Sequence, residues 1–235
     1  MKASLINTRN TSGGLMHKAS IAVMVLIGLL VISLESAADP RVIPGYPLDV
    51  RNYDAREVAL LPRYCIHTQE FREKVPGGNN RAETEKWYRL QGQTFHAMHH
   101  YCWGLMRTNR ALMLTRTKGG RERYLQEAIW DFDYVIERAP TNFVLLPEIL
   151  TKKGEHLIRL QRGPLAESEL RRAIELKPDY WPPYVALSDY YKAQGDSKTA
   201  RKLLEQALSH SPNAAPVRKR LSELDSTASS AKAKP

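Results

Sequence analysis

The feature that most constrains this chain is a period. Leu150 and Tyr184, Leu157 and Tyr191, Ala166 and Ala200, Leu170 and Leu204, Ala173 and Ala207, and Pro178 and Pro212 each stand 34 residues apart. Two units, 147–180 and 181–214, therefore carry one pattern in tandem. In the first half of each unit, large apolar side chains recur at helical spacing and make one stripe. In the second half, alanines flank a leucine, which lets a second helix approach the first closely. The closing proline stops that helix, because its ring cannot continue the hydrogen-bond ladder. One such hairpin cannot bury its apolar face alone, so the units must stack, and the fold class that follows is all-α.

The pattern resembles the tetratricopeptide repeat (TPR), whose signature is W-x2-L-G-x2-Y, then A-x3-F, then alanine and a closing proline. Tyr184, Leu187 and Tyr191 take the first, fourth and eighth places of that signature, and Leu150, Lys153 and Leu157 take them in the earlier unit. Lys153 and Ser188 depart from the usual leucine and glycine, and Leu170 and Leu204 stand for phenylalanine. A charge at position 153 has to snorkel out of the seam. The resemblance implies a short TPR α-solenoid and a binding groove rather than a reaction centre. In the family that groove is lined by first-helix positions that here hold Glu148, Thr151, Glu155 and Ile158, then Pro182, Val185, Asp189 and Lys192. The Lys/Asn clamp that some members use for a terminal carboxylate is not reproduced there, so an extended or helical peptide is the expected ligand.

Residues 83–146 read as a third, degenerate unit. A long helix is expected from Glu83 to about Thr115, with Phe95, Met98, Cys102, Leu105 and Leu112 on one apolar stripe. Gly92 and Gly104 within it mark tight packing or a break. After an expanded loop, Ala128, Phe132, Val135 and Pro140 repeat the second-helix offsets. Three helix pairs are about the minimum for such an array to bury a continuous core. Ahead of them, residues 39–82 carry Pro40, Pro44, Pro47 and Pro62, which predicts an extended arm with one short helix around Tyr53 to Leu60. Behind them, residues 215–225 predict a capping helix, and the Ser/Ala/Lys tail 226–235 has nothing to bury and is expected to be disordered.

At the other end, Ala19 to Leu34 is an uncharged run preceded by Lys18 and followed by Ser36-Ala37-Ala38. That order is the one of a secretory signal, 1–38, cut after Ala38. The rival is a retained membrane anchor, which needs about 20 apolar residues. The expected destination is a bacterial periplasm, in keeping with a middle stretch similar to one in exported bacterial TPR proteins. The membrane is met only in transit.

Three stretches are candidates for chemistry. His96 and His100 have the i, i+4 spacing at which two imidazoles on a helix share a metal, with Cys102 nearby, so a metal-binding or redox protein is the opposing class. There is no H-E-x-x-H and no C-x-x-C-H. Arg107, Arg110, Arg116, Lys118, Arg121 and Arg123 form a basic cluster in a chain of formal charge +10, which favours an acidic surface. In an exported chain those anions are lipid headgroups, polysaccharide or acidic peptide, and not nucleic acid. Cys65 and Cys102 are expected to pair in an oxidising compartment. The alternatives are a thiolate ligand and a buried free cysteine. The reading that results is an exported, non-catalytic adaptor that needs no cofactor and binds proteins or peptides of the cell envelope.

Overall fold

The computed structural model describes residues 39–232, with side chains as far as Ser226. The segment read as an export signal lies outside the described residues. The arm begins as a series of capped turns. Asp49 accepts the Arg51 N–H at 2.9 Å ahead of a 3₁₀ turn at Val50–Asn52, and Asp54 accepts the Arg56 N–H at 2.9 Å to start α1 (Ala55–Val58). A second 3₁₀ turn, Arg63–His67, carries Cys65. Asn80 then caps α2 (Arg81–Gln91) by accepting the Glu83 N–H at 3.1 Å.

The long helix expected from Glu83 to about Thr115 is broken. α2 ends at Gly92, a 3₁₀ segment runs Gly92–Ala97, α3 spans Met98–Asn109, and a π-helical turn follows at Arg110–Leu114. Gly92 has φ +63°, and no atom lies within 4 Å of where its Cβ would stand. The left-handed backbone, not crowding, selects glycine there and ends the helix.

Three helix pairs follow in sequence. α3 packs on α4 (Lys118–Ile136), α5 (Leu146–Arg159) on α6 (Gly163–Leu176), and α7 (Pro182–Ala193) on α8 (Ser197–His210). α9 (Ala215–Lys232) lies on α8. Among the described residues every regular element is helical. A Cβ on Gly154 would stand 2.5 Å from Leu170 Cγ, and a Cβ on Gly104 would run into the Phe132 ring. The two glycines therefore do the same job in successive units, bringing the first helix onto the second.

The core has two main parts. One gathers Cys65, Phe71, Met98, Tyr101, Phe132 and Ile149 around the arm, α3, α4 and α5. The other gathers Leu170, Tyr184, Leu187, Leu204 and Val217 from α6 to α9. Burial of this kind stabilises by about 25 cal/mol per Å² of apolar surface.

Four expectations are corrected. The arm is not extended: it folds onto α3 and α4, because Val50, Tyr64 and Phe71 bury in the core and polar groups hold it there. Arg110 binds Glu57 through two hydrogen bonds, Tyr124 Oη donates to Arg41 O at 2.6 Å, and Trp103 Nε1 donates to Tyr53 Oη at 3.2 Å. Lys153 does not reach out to water. Its ammonium meets Asp133 of α4 at 2.6 Å and Glu169 of α6 at 2.7 Å, so it ties neighbouring pairs together. The terminal helix is longer than the cap expected over 215–225. Helical backbone continues to Lys232 through much of the tail expected to be disordered, since Ala and Ser extend a helix already nucleated at modest cost.

Candidate functional site

The first helices of successive pairs, α5 and α7, lie side by side, and between them runs a groove of about 930 Å³. Glu155 and Ile158 come from α5, and Pro182, Val185 and Asp189 from α7. These expected residues meet because positions three, four and seven apart fall on one helix face. Three others do not join them. Thr151 is buried with its hydroxyl donating to Pro147 O at 2.7 Å. Glu148 accepts the Tyr101 hydroxyl at 2.5 Å, and Lys192 is exposed outside the groove.

Sequence reasoning missed Trp181, Ala186 and Tyr190 on the wall, and Arg159 and Arg220. Trp181 opens its unit and Tyr190 precedes Tyr191, but the repeat signature ascribes neither aromatic to the groove face. Tyr190 is set by contact: a Cβ on Gly163 would overlap its hydroxyl. Arg220 was invisible as a groove residue because it arrives from α9, where it meets Asp189 at 3.1 Å and Glu223 at 3.0 Å.

Burial raises the pKa of Glu155, against the opposing effect of Lys152 and Arg159 on its own helix. Burial also raises that of Asp189, outweighing Arg220 and Lys192. Tyr180 is pushed up to about 12 by burial, with Glu148 and Glu155 adding to the effect. The groove therefore mixes apolar and charged side chains, with Asp189 paired to Arg220 and Glu155 half-buried in the opposite wall.

A family profile described as tetratricopeptide repeat matches residues 181–224, which span α7, α8 and the first turns of α9. The chain carries a tetratricopeptide repeat. No curated protein matches the chain. The matched repeat supplies one wall of the groove, Trp181 to Gln194, together with Arg220. The preceding unit supplies the other wall, and of the expected positions only Glu155 and Asp189, 34 residues apart, line it from both units.

The basic cluster is split by the fold. Arg110 is fully buried in its pair with Glu57, and Arg107 is tied to Glu127 at 3.3 Å and to Asp131. Arg116, Lys118, Arg121 and Arg123 remain exposed, with Glu122 facing Lys118 at 3.8 Å. The sequence showed six like charges in a row of turns but not that two of them had buried carboxylate partners.

The histidines do not form the shared-metal pair. His96 lies in the 3₁₀ segment before α3, so the helical i, i+4 geometry is lost, and its ring rests on Tyr88. His100 Nδ1 donates to Asp131 Oδ1 at 3.0 Å, and its ring stacks on Tyr134 with centroids 3.7 Å apart. Among the described residues no group of three or more His, Cys, Asp or Glu gathers as a metal site. Cys102 is joined to Cys65, with 5.7 Å between their Cα atoms, which removes the thiolate that the metal or redox reading required.

Proposed function

We propose that this protein is an exported, non-catalytic adaptor whose groove between α5 and α7 holds a segment of a partner protein of the cell envelope. The observation that carries the proposal is the groove itself: the first helices of two tandem units line one groove of about 930 Å³ with apolar side chains and charged ones between them. Channels of that size and lining accept an extended or helical peptide by burying its apolar side chains. Export is supported by the uncharged run Ala19 to Leu34 ahead of Ser36-Ala37-Ala38, and by a disulfide of the kind oxidising compartments preserve.

Two measurements test this reading. A photo-crosslinking residue at Val185 yields adducts with envelope proteins, and the same residue at exposed Lys118 does not. Amino-terminal sequencing of the exported protein begins at Asp39. Adducts that form equally at both positions overturn the groove. A chain that keeps residues 1–38 overturns the cleaved, periplasmic form.

A further inference from the structure

We propose that the groove between α5 and α7 is selective for a peptide segment that places a lysine or arginine, flanked by apolar residues, against Glu155. The inference rests on the groove being the binding site and adds the chemistry of the ligand.

Glu155 projects from α5 into a channel whose other wall carries Trp181, Val185 and Ala186. Its carboxylate makes no hydrogen bond or ion pair to another side chain among the described residues, in contrast to its neighbours. Glu148 accepts from Tyr101, Asp189 meets Arg220, and Glu169 meets Lys153. A half-buried carboxylate without a partner has lost hydration that nothing in the free protein replaces. Burial accordingly favours its neutral form, despite Lys152 and Arg159 nearby. A cation delivered by a ligand restores the missing interaction in a site drier than open surface, where charge-assisted hydrogen bonds are stronger. Trp181, on the facing wall, adds an aromatic surface to the same groove.

The opposite assignment, an acidic ligand on Arg159, is weaker. Arg159 is exposed at the rim and already hydrated, so pairing it offers little gain. Arg220, the other groove cation, is occupied by Asp189 and Glu223. The ligand is a side chain within a segment and not a free amine, because the groove is much larger than one ammonium group and carries the apolar Ile158, Trp181, Val185 and Ala186.

The test uses a positional-scanning library of fluorescein-labelled octapeptides, acetylated and amidated to remove terminal charges, with the full chain. Wild type is expected to enrich Lys or Arg at one position between apolar residues. Glu155→Gln is expected to weaken the best such peptide on the order of tenfold. Replacing that peptide's lysine by norleucine should weaken wild type equally, and the two changes together should cost no more than either alone. Val185→Arg, which fills the channel, should abolish all binding. Both positions are partly exposed, and circular dichroism melts check that each variant is folded. Peptides that bind, are lost in Val185→Arg, and show no basic preference or no response to Glu155→Gln overturn the inference while leaving the groove in place. Peptides that prefer Asp or Glu reverse it in favour of Arg159. Binding that survives Val185→Arg, or a library with no binder, overturns the groove reading and the inference with it.

Discussion

Glu57 and Arg110 lie 53 residues apart and meet as a fully buried pair, with Arg110 Nε and Nη2 each donating to a Glu57 oxygen at 2.7 Å. Arg110 Nη1 also donates to Leu48 O at 2.8 Å, so one guanidinium holds two points of the arm. Removing one partner leaves an uncompensated buried charge. Glu57→Ala should therefore cost about 3–5 kcal/mol in urea unfolding, and Glu57→Leu with Arg110→Met should recover much of that loss. A loss below about 1 kcal/mol in the single variant would show that the arm contributes little.

The Cys65–Cys102 bond closes a loop with a sequence separation of 37. The chain-entropy account gives stabilisation on the order of 4 kcal/mol for a loop of that size. Cys65→Ser with Cys102→Ser should lower the midpoint accordingly, and unreduced protein should show no alkylation by mass spectrometry. Two alkylated thiols without reductant would exclude the bond.

His156 is buried, and Thr108 fixes its tautomer. The Thr108 hydroxyl donates to Gly104 O at 2.8 Å, so at 2.7 Å His156 Nε2 is the donor to that oxygen. Nδ1 has no hydrogen-bond partner among the described residues. Burial, with smaller effects of Arg159 and Lys152, lowers the ring to about 3, against 6.5 ordinarily. Between those values the unfolded chain takes up a proton that the folded chain refuses, so stability falls as pH is lowered. His156→Gln should remove about 2 kcal/mol of the loss seen between pH 7 and pH 5. An unchanged pH slope would refute the buried neutral ring.

Two glycine substitutions should have opposite signs. Gly154→Ala places a methyl 2.5 Å from Leu170 Cγ, and overpacking of about 1–3 kcal/mol there outweighs a helix-propensity gain of about 1 kcal/mol. Gly119→Ala, whose Cβ meets only Pro40 at an ordinary 3.7 Å, should stabilise by up to about 1 kcal/mol. Thermal melts of both decide it. A stabilised Gly154→Ala would mean that α5 and α6 separate easily.

Local patterning determined the helical repeats by itself. Leu150, Ala166, Leu170 and their partners 34 residues on are all buried or packed where the period requires, since helix faces and proline stops depend only on nearby residues. Part of the groove face, Glu155, Ile158, Pro182, Val185 and Asp189, was legible for the same reason once the repeat was aligned, whereas the cysteine pair was legible from the oxidising compartment that the export signal implies. Tertiary structure decided what depended on partners distant in the chain. Lys153 looked misplaced until Asp133 and Glu169 arrived from two other helices, and Arg107 and Arg110 looked like surface until Asp131, Glu127 and Glu57 met them. Gly92 left two outcomes open, and its φ of +63° chose the break. The charge of a side chain is written in sequence, but whether water or a buried counter-ion answers it depends on contacts across 16 to 53 residues, which spacing along the chain does not encode.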